Sequence, residues 1–331
     1  MKPNNRQLYF DFLRGFAVLL VIGIHTYTVR PFEGTGNIMQ IGIREAINFA
    51  VPLFLAISGF FIGRKKIESA ADYFSFLKRQ LPRVYLPAVL WSLPMVVLCI
   101  VRGQEAITAI GKSLLCMTFG QYYFIVLIMQ LYILLPVIKR LSLKPKVGGG
   151  ILLIINTLSV LTLIYIINNE TLSAVISVGP FVYWIIFFFI GVYFSERERN
   201  YKLIWPLILI IVGFVAQMFE TRYLISCGNV GVGLKLSSWI YSAGMVLLLF
   251  SNKIEQFISR GGSVYQMLVK IGGISFGVYL THVYFLIIVN FVLHTTNWIV
   301  YFITVSLIAT LFVMVLKAVL PVKFWRVLGL N

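Results

Sequence analysis

Runs of about twenty apolar residues recur along this chain, and no other feature constrains its fold as strongly. In a bilayer every backbone N–H and C=O must find its partner within the protein, so such runs read as a bundle of transmembrane helices. Ten can be drawn over the 331 residues: Tyr9–Val29, Ala46–Ile62, Val84–Ile100, Tyr122–Ile138, Gly148–Ile167, Val175–Phe194, Leu203–Phe219, Ser237–Phe250, Gly273–Leu293 and Trp298–Val315. Ser237–Phe250 is short for a core of about 30 Å, so it starts earlier, lies level or is broken. Ala106–Phe119 is too short to cross and is expected at the interface. With 60% hydrophobic and 12% charged residues, the composition is not that of a soluble domain, in which about a quarter of residues are charged. No long hydrophilic insertion and no convincing internal repeat divides the chain, so residues 1–331 read as one all-α, polytopic membrane domain.

The net charge of +17 invites a nucleic-acid reading, but the placement of the basic residues argues against it. With the N-terminus inside, the inner segments hold 21 Lys and Arg and the outer segments hold six: Arg30, Arg44, Arg102, Lys112, Arg222 and Lys235. That asymmetry is the positive-inside pattern and predicts both termini in the cytoplasm. Lys2 and Arg6 before an apolar run resemble a signal peptide, but the run lacks a clear small-residue cleavage site and reads as an uncleaved first span. Cys99, Cys116 and Cys227 show no metal or disulfide spacing, and no metal is expected.

The first span carries Asp11, Arg14 and His25 inside apolar sequence. Eleven residues at 100° each come within roughly 20° of three full turns, so Arg14 and His25 share one helix face about 16 Å apart. Asp11, one turn before Arg14, can pair with it. An ionisable group at membrane depth costs from ~3 to over 10 kcal/mol, which makes such residues functional candidates. The bland alternative is a snorkelling Arg and a His satisfied by a neighbouring helix. Further along, Ser58 and Gly59 interrupt a bulky run where small residues let helices approach closely. Lys78, Arg79 and Arg83 cluster where the third span begins, a seat for an anionic cytosolic cofactor or simply for anionic lipid. Ser275, Tyr279 and His282 fall at i, i+4 and i+7 on one face, and Tyr123 and Gln130 form a weaker stripe of the same kind. A structural hydrogen-bond network explains these stripes as well as a site does. His294 reads as interfacial.

In order along the chain, FDFLRGFAVLLVIGIHTY, LFLAISGFFI, KRQLPRVYLP, YYFIVLIMQLYILLP and ISFGVYLTH resemble the acyltransferase family 3 membrane proteins, bacterial O-acyltransferases of surface and secreted glycans. The resemblance implies a ten-helix domain that passes an acyl group, commonly acetyl from acetyl-CoA, to a carbohydrate hydroxyl. It implies Arg14 and His25 as the essential pair and Arg79 and Arg83 on the basic cytoplasmic motif, here interrupted by Pro82. Tyr122 and Tyr123 stand where members often carry a Trp–aromatic pair. The chain ends soon after its last span without the esterase-like domain of some members, so a separate extracytoplasmic partner or a homo-oligomer is an expected arrangement.

These readings converge on His25 as general base and Arg14 as the group that binds donor phosphate or stabilises an oxyanion. Lys78, Arg79 and Arg83 then hold the nucleotide, while Asp11, Ser58, Tyr123, Gln130, Ser275, Tyr279 and His282 line the cavity. Two rival classes are a secondary transporter or flippase using the same intramembrane Arg and His, and a structural or assembly-partner membrane protein that would tolerate alanine at both.

Overall fold

The computed structural model describes residues 5–29, 38–163, 177–228, 233–293 and 297–330, and among them every regular element is helical. His294 lies outside them. The helices are α1 (Asn5–Val29), α2 (Ile38–Ala46), α3 (Ala50–Gly63), α4 (Ala70–Val101), α5 (Ala106–Leu114), α6 (Tyr123–Ile133), α7 (Leu135–Leu143) and α8 (Pro145–Thr162). They continue with α9 (Ile185–Ser195), α10 (Ile204–Ser226), α11 (Leu236–Phe250), α12 (Asn252–Ile258), α13 (Ser263–Gly272), α14 (Ser275–Val292), α15 (Trp298–Val319) and α16 (Val322–Trp325).

Seven helical segments among the described residues are long and apolar enough to cross a membrane. An eighth follows if Gly120–Ile133 and Leu135–Leu143, bent by 60°, act as one span. α9 and α11 cover the two remaining expected spans but are shorter apolar helices. The eleven residues of α9 rise only about 16 Å, and they follow a 3₁₀ turn at Phe181–Tyr183. α11 begins one residue before the expected span. The outward faces of α4, α8, α10 and α15 expose Val97, Ile154, Ile211 and Leu307 among many apolar side chains. So much exposed apolar surface fits lipid rather than water, and the chain is a multi-pass membrane protein.

Two expectations need correction. α4 does not begin at Val84: it runs unbroken for 32 residues from a Ser69–Asp72 capping box, through Pro82, Pro87 and Pro94. Its length of about 48 Å exceeds a bilayer core, so its first turns project beyond the hydrocarbon. The span expected from Ala46 starts earlier, at Ile41, and reaches Gly63, with a local turn inside it. Pro52 cannot donate to the Asn48 carbonyl, and the chain turns at residues 47–49 between α2 and α3.

α1 is the spine of the bundle. Tyr9, Phe10, Leu13 and Ala17 belong to a core shared with α3, α9 and α11, whereas Val18, Val21 and Ile22 belong to a second core with α14 and α15. α1 is clamped against α13 by glycine. A Cβ on Gly15 would lie 2.0 Å from the Leu268 carbonyl oxygen, and one on Gly272 would lie 1.8 Å from that of Asp11. Gly59 and Gly191 join α3 to α9 in the same way, at 2.2 Å from the Phe188 and 2.0 Å from the Ala56 carbonyl oxygens. Gly59 is therefore a packing residue, the small-residue contact by which helices approach closely in membranes.

Candidate functional site

The shared face of α1 opens onto two cavities. Arg14 and His25 both line the first, which holds about 170 Å³ and is walled also by Ser58 of α3, Tyr123 and Tyr132 of α6, and Ser275 and Tyr279 of α14. Arg14 pairs with Asp11 at 2.8 Å, and its guanidinium lies 4.6 Å from the centre of the Phe61 ring. Both ion-pair partners stay about one-third exposed, so Arg14 is tethered yet accessible. The Ser58 hydroxyl meets the Tyr132 hydroxyl at 3.2 Å. Ser275 donates to the Gly272 carbonyl at 2.9 Å, and Tyr279 donates to the carbonyl of Gln121.

His25 also lines the second cavity, of about 200 Å³, together with Arg44 and Asn48, Trp184 and Phe187, and Trp239 and Ser242. The two cavities share only Val21, His25, Val51 and Tyr123 among their lining residues. The His25 ring is thus a wall between chambers, and it makes no hydrogen bond to another described residue. Behind it stands His282, fully buried, with ring centroids 5.5 Å apart. Nδ1 of His282 lies 2.5 Å from the Tyr279 carbonyl, a contact that requires the proton on Nδ1 and leaves Nε2 as an acceptor. That Nε2 has no hydrogen-bond partner among the described residues.

Not all expected site residues meet here. Tyr123, Ser58, Ser275 and Tyr279 do line the first chamber. His282 is on neither wall and supports His25 from behind. Gln130 faces away: its amide donates to the Gly179 carbonyl at 3.2 Å and accepts from Phe181 N–H at 3.0 Å, fixing the segment before α9. A seven-residue stripe cannot tell a cavity from a neighbouring backbone. Lys78, Arg79 and Arg83 are exposed on α4 and line neither chamber. Arg83 adjoins Val84 at the first chamber's edge, and both it and Arg14 are close enough to interact electrostatically with Tyr132.

Sequence reasoning missed a cluster that borders the second chamber. Arg44 and Lys235, expected as ordinary outer-segment charges, are 6% and 1% exposed. Glu45, fully buried, accepts from Lys235 Nζ at 2.7 Å, Asn48 Nδ2 at 2.6 Å and Thr221 Oγ1 at 3.2 Å. Arg44 donates in turn to Asn48. Burial pulls the Lys235 ammonium below the usual lysine range, and Glu45 opposes that shift. The available signal was a carboxylate at the mouth of an apolar run in a chain with only 11 acidic residues. Among the described residues, no three His, Cys, Asp or Glu side chains cluster as metal ligands.

A family model described as an acyltransferase domain matches residues 7–318. An amino-acid racemase of Enterococcus faecalis is 32% identical over 95 residues, 29% of this chain and 13% of that protein. The nodulation protein NolL of Mesorhizobium japonicum is 28% identical over 148 residues, 42% of this chain and 39% of that protein. The chain therefore spans well under half the length of either relative. No solved structure gives a significant match.

Proposed function

Because this chain belongs to the acyltransferase-domain family, we propose that it transfers an acyl group, acetyl from acetyl-CoA in the simplest case, to a carbohydrate hydroxyl, with His25 as general base. One observation carries this reading: His25 is the imidazole common to two chambers that otherwise share only Val21, Val51 and Tyr123, and of these side chains only an imidazole titrates near neutrality. A transferase needs a donor and an acceptor to meet at one base.

The first chamber suits the donor. Its 170 Å³ is below the ~300–1,000 Å³ of a site that encloses a whole drug-sized ligand, so the thioester arm enters and the nucleotide stays outside. There the exposed Lys78, Arg79 and Arg83 meet its phosphates, guanidinium forks matching phosphate oxygens in bidentate geometry. Arg14 lies about 16 Å along the helix from His25. That separation keeps it with the donor's charges, not at the reacting carbonyl. Tyr123, on both walls and with no hydrogen bond to another described residue, is the better donor to a developing oxyanion.

In the reaction the acceptor O–H gives its proton to the His25 ring as its oxygen attacks the thioester carbonyl. The tetrahedral intermediate collapses, the C–S bond breaks, and the imidazolium returns the proton to the departing thiolate. His282 is a positioning residue, its ring centroid 5.5 Å from that of His25. With both termini in the cytoplasm, the first chamber faces the compartment that holds acetyl-CoA and the second opens toward the far leaflet.

The test is thiol release from acetyl-CoA by purified protein in nanodiscs, across a panel of neutral and charged glycans. His25→Ala is expected to abolish release while the protein still inserts and folds. Wild-type release by that variant removes the catalytic assignment. Substrate movement across vesicles with no thioester consumed would replace this reading with transport.

A further inference from the structure

Two side chains that line the second chamber each carry a buried N–H with no hydrogen-bond partner among the described residues, Nε of Arg44 and the indole Nε1 of Trp239. Their side chains are 6% and 8% exposed. A stranded buried donor costs about 1–3 kcal/mol and more on a charged group, so two on one wall point to a ligand that accepts from both. Arg44 is the only permanently charged side chain among the described lining residues. The nearby carboxylates are occupied elsewhere. Glu45 is taken by Lys235, Asn48 and Thr221, and Glu220 by the backbone N–H and hydroxyl of Ser237. The remaining wall is aromatic: Tyr123 and Trp184 stack with centroids 6.3 Å apart, and both face the void with Trp239. Flat apolar faces with a few convergent polar donors are the usual lining of a small-ligand site.

We propose that the second chamber binds an anionic sugar, one bearing a carboxylate or a phosphate, whose oxygens accept from Arg44 and Trp239 while its ring lies on Tyr123 and Trp184. Its role as acyl acceptor rests on the reading above; the binding itself does not. Guanidinium pairs with either oxyanion in bidentate geometry, so the two sources are separated by experiment.

Protein in phosphatidylcholine nanodiscs is titrated with methyl glucuronide, glucose 1-phosphate and methyl glucoside, read by thermal shift and tryptophan fluorescence. At least one of the two anions binds roughly tenfold or more tighter than the neutral glucoside, and the identity of that anion distinguishes carboxylate from phosphate. Arg44→Gln brings its affinity down to the glucoside's, and Arg44→Lys restores part of it. Should Arg44→Gln fail to fold, Trp239→Phe keeps the ring, drops the N–H and weakens anion binding several-fold. Equal affinity for anion and glucoside, no binding of either anion, or an anion affinity unchanged in Trp239→Phe and in folded Arg44→Gln overturns the proposal. Thiol release is followed in the same discs. Anion binding with no release from acetyl-CoA leaves this site standing and removes the acetyl-transfer reading, and release to the glucoside with no preference for anions does the reverse.

Discussion

Two ion pairs of nearly equal length stand at opposite ends of the site. Arg14–Asp11 measures 2.8 Å with side chains 33% and 28% exposed, and Lys235–Glu45 measures 2.7 Å with side chains 1% and 0% exposed. Length does not separate them; burial does. A pair open to a wet cleft contributes at most about 1 kcal/mol and can be remodelled by an incoming charge. A sealed pair has already lost its hydration, and removing one member strands the other at a cost of about 3–5 kcal/mol. The first pair is therefore free to serve a ligand, while the second fixes the corner from which Arg44 projects.

That contrast can be broken from the middle outward. The largest effect is expected at His25, between the two pairs and part of neither: His25→Ala lowers the acyl-transfer rate by roughly 10²–10⁴-fold with thermal stability unchanged. Next is Lys235→Met, expected to destabilise by about 3–5 kcal/mol in thermal unfolding. The double variant Lys235→Met with Glu45→Met recovers most of that loss, and no recovery would show that the pair is not a unit. Arg14→Ala is expected to raise KM for acetyl-CoA by about tenfold or more without moving Tm, the pattern of a binding charge. The smallest effect belongs to Asp11→Asn, whose stability change stays under about 1 kcal/mol. A loss at Asp11 as large as at Lys235 would erase the distinction.

The first half of this arrangement was legible because it is local. Arg14 and His25 sit eleven residues apart on one continuous helix, so the period alone places them on one face, and both do line one cavity. The second half depends on contacts between distant segments. Lys235 reaches Glu45 across 190 positions, and a count of basic residues per segment cannot see that a nominal loop charge is sealed inside. Gln130 misled for the related reason that its partner is backbone near Pro180. Val84 is likewise too late a start for the third span, because α4 continues back through Pro82 to Ala70. The apolar segments themselves were readable from composition, while the bend after Ile133 and the shortness of α9 were not.

The four-residue overlap between the chambers has an evolutionary corollary. Beyond α1, α3 and Tyr123, which serve both, the compartments draw on separate helices, with α4, the rest of α6 and α14 lining one and α2, α9 and α11 the other. Such a partition is modular: exchanging α9 and α11 with a homologue's changes walls of the second chamber that the first does not share. Chimeras cut along that seam are expected to move acceptor preference without moving donor preference, if the proposed division of labour between the chambers holds.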